Sequence, residues 1–258
     1  MKLKQIAALV GLALVLSAQA ADLKALRIGT DATYEPFTYK APNGQLMGFD
    51  IDLSNALCAH MKRRCVFVES DWEALIPSLQ AKKFDLIMSS MTITDQRKKA
   101  VNFSDKMTDI PYRVIVKHGS GMDGSPVSMK GKKVGVLKGS TDADFADKYY
   151  AKAGAVVQRY ESTQASYLDL SSGRLDAIVG NLVEMKGGFL SKPEGKAFEF
   201  APYELVDPVI LGYGTGAAMR RSDTQLKAEV DAALKAVRAN GQYKKIVDKY
   251  FDFDIYGK

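Results

Sequence analysis

The chain predicts an α/β fold made of two similar lobes, and three observations lead there. Short apolar runs alternate with amphipathic stretches along its length, the pattern of βα units rather than of segregated helices and sheets. Setting aside a leader-like start of 20 residues leaves 238 of the 258, room for one large domain or two lobes. An internal echo favours two. Leu79-Gln-Ala-Lys-Lys-Phe-Asp-Leu-Ile-Met-Ser-Ser90 aligns with Leu170-Ser-Ser-Gly-Arg-Leu-Asp-Ala-Ile-Val-Gly-Asn181, and Leu26-Arg-Ile-Gly-Thr30 with Lys132-Lys-Val-Gly-Val136. Each half therefore carries the same βα units, beginning near 26 and again near 133.

Residues 1–20 read as a secretory leader. Lys2 and Lys4 form a positive start, Ile6 to Leu16 an apolar core, and Ala18-Gln19-Ala20 a small-x-small cleavage site, so the mature chain is expected to begin at Ala21 and to be exported. The apolar core is too short to span a membrane. Strands are then expected at 26–30, 65–69, 85–89, 113–117, 133–137, 156–160 and 176–180. Helices are expected at 50–61, 72–81, 95–100, 142–152, 164–172, 182–190, 223–239 and 241–249. The helix at 223–239 has the clearest signal, with Leu226, Val230, Ala233, Leu234 and Val237 on one face and Gly241 just past its end. The expected division is a leader at 1–20, a discontinuous first lobe at 21–110 plus 211–258, and a second lobe at 111–210.

Losing Lys2 and Lys4 takes Lys+Arg from 36 to 34 against 30 acids, so net charge falls from +6 to +4. The basic residues are scattered apart from short runs at 62–64, 97–99 and 130–133, with no aromatic-interleaved stripe, which argues against nucleic acid as a partner. Cys58 and Cys65 are the chain's two cysteines. In an exported chain a disulfide between them is the default, contributing roughly 2–3 kcal/mol by chain-entropy estimates. His60 and His118 lie far apart without ligand-spaced neighbours, so no metal site is expected. No phosphate-cradling P-loop is present, so no nucleotide or other cofactor is expected either.

The stretch from Asp85 to Arg97 is the most informative. Leu86, Ile87 and Met88 end in the hydroxyls Ser89, Ser90 and Thr92, and Thr94 is placed to cap a helix carrying Arg97 in its first turn. A cation is unfavourable at that end of a helix dipole. It makes sense if an anion sits opposite, because guanidinium and helix-end N–H groups together suit a carboxylate. The plain alternative is a surface arginine beside Lys98 and Lys99. In open α/β sheets ligands sit beyond the carboxyl ends of strands, which would gather the tips at 30–34, 89–92, 137–142 and 180–181 around one cleft. Those tips offer Asp31 and Tyr34. Trp72, the chain's one tryptophan, stands on the next βα turn, and Gly139 and Thr141 lead into another helix start. Ordinary turn and cap chemistry would account for each of these singly.

Several segments carry a resemblance that runs through the whole mature chain: Arg27-Ile-Gly-Thr-Asp, Gly48-Phe-Asp-Ile-Asp-Leu, Leu75-Ile-Pro-Ser-Leu, Met88-Ser-Ser, Thr92-Ile-Thr, Lys132-Lys-Val-Gly-Val-Leu and Lys249-Tyr-Phe-Asp-Phe-Asp-Ile-Tyr-Gly. In these the chain resembles the periplasmic binding proteins for basic amino acids, the lysine/arginine/ornithine and histidine receptors of ABC importers. The resemblance implies the type II two-lobed fold, a two-strand hinge placed near 109–113 and 204–212, and a Cys58–Cys65 disulfide. It implies a periplasmic, monomeric receptor that delivers its ligand to the importer's membrane subunits. By position, Arg97 would clamp the ligand's α-carboxylate, helped by the N–H groups of Thr92 and Thr141. Ser90 and Thr92 would accept from the α-ammonium, Tyr34 and Trp72 would sandwich the side chain, and Asp31 would take its distal cation. Ser89 and the Leu137 carbonyl would line the same channel.

Two positions depart from the family pattern. Asn181 stands where an aspartate normally binds the α-ammonium, with Glu184 one turn further on, and Asp142 stands where arginine-binding relatives usually have a neutral polar residue. Losing the charge-assisted bond would weaken a free α-ammonium by roughly 1.5–3 kcal/mol. Two readings follow: an ordinary arginine-class receptor that has drifted, or a receptor for an arginine-derived opine such as octopine or nopaline, whose extra carboxylate Asn181 could hydrogen-bond. Periplasmic cyclohexadienyl dehydratases share the resemblance, so an enzyme using Asp31, Asp142 or Glu184 is the rival class. The matched residues are those that grip a free amino acid, and a non-enzyme is expected.

Overall fold

The computed structural model describes residues 24–257, and the expected leader lies outside the described residues. The chain opens with β1 (Ala25–Thr30), then a small antiparallel sheet of β2 (Thr33–Tyr34), β3 (Thr38–Lys40) and β4 (Leu46–Met47). Helix α1 (Phe49–His60), β5 (Arg64–Glu69), α2 (Leu75–Gln80), β6 (Leu86–Ile87), α3 (Asp95–Lys98) and β7 (Val101–Phe103) follow. The chain then crosses to a second sheet through β8 (Tyr112–Lys117), β9 (Lys133–Leu137), α4 (Thr141–Phe145), β10 (Val156–Tyr160), α5 (Thr163–Ser171), β11 (Ala177–Asn181), α6 (Leu182–Met185) and β12 (Phe198–Phe200). After α7 (Pro208–Leu211) it returns as β13 (Ala218–Arg220) and ends in α8 (Thr224–Ala239) and α9 (Gln242–Tyr250).

The two sheets are built alike. Their strand orders are β5-β1-β6-β13-β7 and β10-β9-β11-β8-β12. In each, the first strand of the repeat runs between two parallel partners, β1 between β5 and β6, and β9 between β10 and β11. The fourth position is filled by an antiparallel strand that arrives from the other lobe, β13 in one and β8 in the other.

The echo in the sequence has a packing cause. A Cβ on Gly29 would lie 2.4 Å from the Phe84 ring, and one on Gly135 would lie 2.5 Å from Leu175 Cδ1. Both glycines let the preceding loop's apolar side chain lie flat on the sheet. The paired aspartates do the same job twice. Asp85 accepts from Arg27 N–H at 3.2 Å and Asp176 accepts from Lys133 N–H at 2.8 Å, so each carboxylate closes the open end of a strand ladder.

Apolar side chains fill both faces of each sheet. In the first lobe Ile28, Phe49, Leu53, Leu57, Val230, Leu234 and Val237 form one cluster, and Leu75, Leu79, Phe84, Ile87 and Val101 the other. Burying each of these side chains stabilises the lobe by roughly 1.5–3 kcal/mol before entropy is counted. The disulfide joins Cys58, near the end of α1, to Cys65 in β5.

Several elements differ from expectation. The strand expected at 85–89 pairs only over Leu86–Ile87; Met88 still donates to the Gly29 carbonyl at 3.0 Å and packs in the core, and Ser89 and Ser90 beyond it line the cleft. The helices expected at 142–152 and 182–190 are regular only to Phe145 and Met185. They continue as wider turns over Ala146–Ala151 and Lys186–Leu190. The helix expected at 72–81 breaks into a tight turn at Trp72–Ala74 and α2.

Candidate ligand-binding cleft

The strand tips converge between the lobes. One cavity is lined by Asp31, Tyr34, Trp72, Ser89, Ser90, Thr92 and Arg97 from the first lobe and by Tyr112, Leu137, Ser140, Thr141 and Asp142 from the second. Ten of the eleven expected ligand-binding residues therefore share one space. Asn181 does not join them. It lines a neighbouring cavity of about 250 Å³ that meets the first at Thr92 and Tyr112. Its Oδ1 accepts from Val183 N–H at 2.9 Å and Glu184 N–H at 3.2 Å, capping α6. An asparagine at a helix start has this local use open to it whatever the ligand.

Local chemistry sets each group. Thr94 Oγ1 accepts from Arg97 N–H at 3.1 Å, the expected cap. Arg97 extends from this short helix and donates from Nη1 to the Thr92 carbonyl at 3.0 Å and from Nη2 to the Gly139 carbonyl at 3.3 Å. Trp72 Nε1 donates to that same Gly139 carbonyl at 3.2 Å, and the guanidinium carbon lies 5.2 Å from the Trp72 ring centroid. No carboxylate among the described residues lies within 4 Å of Arg97, and burial lowers its pKa from the ordinary value. An arginine nevertheless stays protonated at neutral pH, so the cleft holds a desolvated cation bonded to neutral carbonyls.

Acids occupy the rest of the cleft. Asp31 is buried, and its Oδ1 is held by Thr33 N–H at 2.8 Å and Thr33 Oγ1 at 2.7 Å. Its own N–H donates to Ser89 Oγ at 3.0 Å. Ser140 Oγ caps α4 by accepting from Ala143 N–H at 3.1 Å, and it donates to the Leu137 carbonyl at 2.6 Å. Asp142 follows in the first turn, where burial pushes its pKa up to about 7. Glu184 is buried behind the cleft wall, outside its lining, with Tyr167 donating to Oε2 and Oε1 left without a partner. Burial pushes it up to about 8.

Tyr112 and Ser140 are lining residues the sequence reading missed. Ser140 was within reach as the cap just before Thr141. Tyr112 gave no local signal, because its place follows from the crossing between sheets. Its hydroxyl lies 2.7 Å from Thr92 Oγ1 in the first lobe and accepts from Thr141 Oγ1 at 3.0 Å in the second.

The lobes are drawn together. Lys138 pairs with Glu73 at 2.7 Å, Lys192 with Glu35 at 3.0 Å, and Thr163 Oγ1 donates to the Thr33 carbonyl at 3.1 Å. In this arrangement the first cavity holds only about 20 Å³, room for roughly one water. That space is smaller than an amino acid, and the Gly139 carbonyl occupies one Arg97 nitrogen.

Residues 26–253 match the model of the bacterial extracellular solute-binding proteins, family 3. The L-arginine-binding protein of Pseudomonas aeruginosa is 46% identical over 256 residues, which cover 99% of this chain and 98% of that protein. The lysine/arginine/ornithine-binding periplasmic protein of Escherichia coli is 45% identical over 249 residues, 96% of each chain. Among solved structures, an ancestral arginine-binding protein bound to arginine superposes with a TM-score of 0.83 at 33% identity, over 89% of this chain and 99% of that one. With two echoing sheets, a cleft between them and a match running almost from end to end, the chain belongs to the bacterial extracellular solute-binding proteins of family 3.

Proposed function

We propose that this chain captures a cationic amino acid of the arginine, ornithine, lysine and histidine class in the cleft and passes it to the membrane subunits of an ABC importer. It works in the periplasm as a monomer and without catalysis. One observation carries the reading: a half-buried Arg97 with no carboxylate partner shares its cavity with the buried acids Asp31 and Asp142. That is the charge pattern complementary to a zwitterion with an extra positive tail.

In this reading the ligand's α-carboxylate replaces the Gly139 carbonyl as acceptor for Arg97 and gains the N–H groups of Thr92 and Thr141. Ser90 and Thr92 accept from the α-ammonium. The aliphatic stem passes between Tyr34 and Trp72, alongside Ser89 and the Leu137 carbonyl, and the distal cation meets Asp31 and Asp142. The relatives' own ligands, arginine, lysine and ornithine, fit this order of charges.

Isothermal titration with arginine, lysine, ornithine, histidine, glutamate and octopine tests it. Binding of one or more basic amino acids, with none of glutamate, is expected. No response to any basic amino acid would overturn the proposal.

An opine receptor is the second reading, favoured by the neighbouring cavity on which Asn181 stands. A substituent on the α-nitrogen could pass Tyr112 and reach it. Octopine binding tighter than arginine in the same titration would decide for it. The dehydratase reading would have to use Asp31 or Asp142, since Glu184 is tied to Tyr167 outside the cleft lining. Product formation from a cyclohexadienyl acid by the purified protein would reinstate it.

A further inference from the structure

Among the described residues three that are not glycine have positive φ: Lys62 at 52°, Lys82 at 60° and Ser90 at 46°. Lys62 and Lys82 are exposed residues just past the ends of α1 and α2, where a left-handed residue is the ordinary way to stop a helix. Ser90 is different. It is buried, ends no helix and lines the cleft. A serine held in this region costs of order 1 kcal/mol and persists only where its surroundings enforce it.

The enforcing group is Asp50, in the first turn of α1 and 1% exposed. Ser90 Oγ donates to Asp50 Oδ2 at 2.9 Å, and the Ser90 N–H is directed at the same carboxylate. No cation lies within 4 Å of Asp50 among the described residues. A buried acid without a counter-ion is costly, and here its hydrogen bonds go to one cleft residue. The bond also fixes the polarity of that residue. A hydroxyl has one proton; once the proton is committed to Asp50, Ser90 can offer the cleft only lone pairs.

We propose that Asp50 is a specificity-determining positioning residue. By holding Ser90 in its left-handed conformation and taking its hydroxyl proton, it makes Ser90 an obligate acceptor that selects ligands carrying a protonated α-amino group. This rests on the amino-acid reading above. Asp50 itself does not line the cleft; it acts through Ser90. Burial pushes its carboxyl up to about 7, so an ammonium docking on Ser90 also favours the ionised form that the hydroxyl donates to.

The test compares arginine with δ-guanidinovalerate, which is arginine without its α-ammonium, by titration calorimetry at pH 8. Asp50→Asn should weaken arginine about tenfold, the worth of one buried hydrogen bond to a charged group, and change δ-guanidinovalerate by less than about twofold. Equal losses for both ligands, or no loss for arginine, would overturn the proposal while leaving the receptor reading intact. If the wild-type chain binds no basic amino acid, both fall. Should Asp50→Asn fail to fold, Ser90→Ala carries the same expectation, and equal losses on the two ligands would refute it there.

Discussion

At the end of β6 the first lobe turns Ser89 and Ser90 into the cleft, while at the matching end of β11 the second lobe has Gly180 and Asn181. The approaches to these tips are equivalent, with Gly29 under Phe84 on one side and Gly135 under Leu175 on the other. The tips are not. Ser90 gives its proton to Asp50 from a neighbouring helix, whereas Asn181 uses its oxygen on its own helix start. What the halves share is packing that each sheet needs for itself. What differs is which tip has its polar group turned to the space between them. Arg97 has its place only in the first lobe, and the buried pair of Glu184 and Tyr167 only in the second.

The sharpest way to break this asymmetry is to remove the group that one lobe alone possesses. Arg97→Ala should reduce affinity for basic amino acids at least a hundredfold, about 3 kcal/mol for a half-buried charge-assisted bidentate contact. The folded state should lose little, because the guanidinium forms no ion pair and makes only bonds to neutral carbonyls and a stack on Trp72. Titration calorimetry together with a thermal melt checks both halves. Unchanged affinity would mean that the cleft does not use this cation.

Substituting the shared glycines probes what is common. Gly29→Ala and Gly135→Ala both overpack a sheet and should cost about 1–3 kcal/mol each. Gly29→Ala should cost more, since the new methyl meets a fixed ring fully buried beneath it, whereas at Gly135 the close atom is the tip of a leucine. Urea denaturation gives both values. A harmless Gly29→Ala would show that the echo is coincidence rather than packing.

Much of this scaffold was legible because it is local. Helix α2, the loop with Phe84 and Asp85, and β6 lie within about a dozen consecutive residues, and their twin sits in the second half with the same spacing. Arg97, Thr94 and the hydroxyls of 89–92 were legible for the same reason. The illegible parts depend on distant pairings. Strand β13 is three residues long and pairs with Phe103 and Ile87 from far upstream. Tyr112 reaches the cleft only because the crossing strand β8 sits beside β11. Asn181 could not be placed from spacing alone, because a side chain that caps its own helix and one that faces a ligand look the same in sequence.

Glu184 sharpens the comparison through pH. In the folded chain its carboxyl titrates near 8, far above the ordinary value it has when unfolded. Between those two values the folded state holds a proton that the unfolded chain has released, so stability falls as pH rises, by at most about 1.4 kcal/mol per pH unit, and levels off above about 8. Asp50 and Asp142, both raised to about 7, act in the same direction at lower pH. From pH 7 to 8 Glu184 should therefore dominate the remaining slope. Glu184→Gln, neutral throughout, should flatten the melting temperature over that interval. A slope left intact would place the titrating group elsewhere.

The smallest effect separates the two aspartates that do the same backbone job. Asp176 accepts from Lys133 N–H, while Asp85 accepts from Arg27 N–H and also from the Arg27 guanidinium at 2.7 Å and Arg220 at 3.4 Å. Asparagine keeps one oxygen for the strand N–H but faces those guanidinium groups without charge. Asp176→Asn should therefore cost about 0.5–1 kcal/mol and Asp85→Asn about 1–2 kcal/mol, since hydrogen bonds to charged groups are the stronger kind but these pairs are partly solvated. Salt should narrow the gap, because screening weakens only the Asp85 cluster. Urea titrations at low and high ionic strength would show it. Equal costs in both would mean that the strand N–H is all either carboxylate serves, and that the arginines around Asp85 add nothing the second lobe lacks.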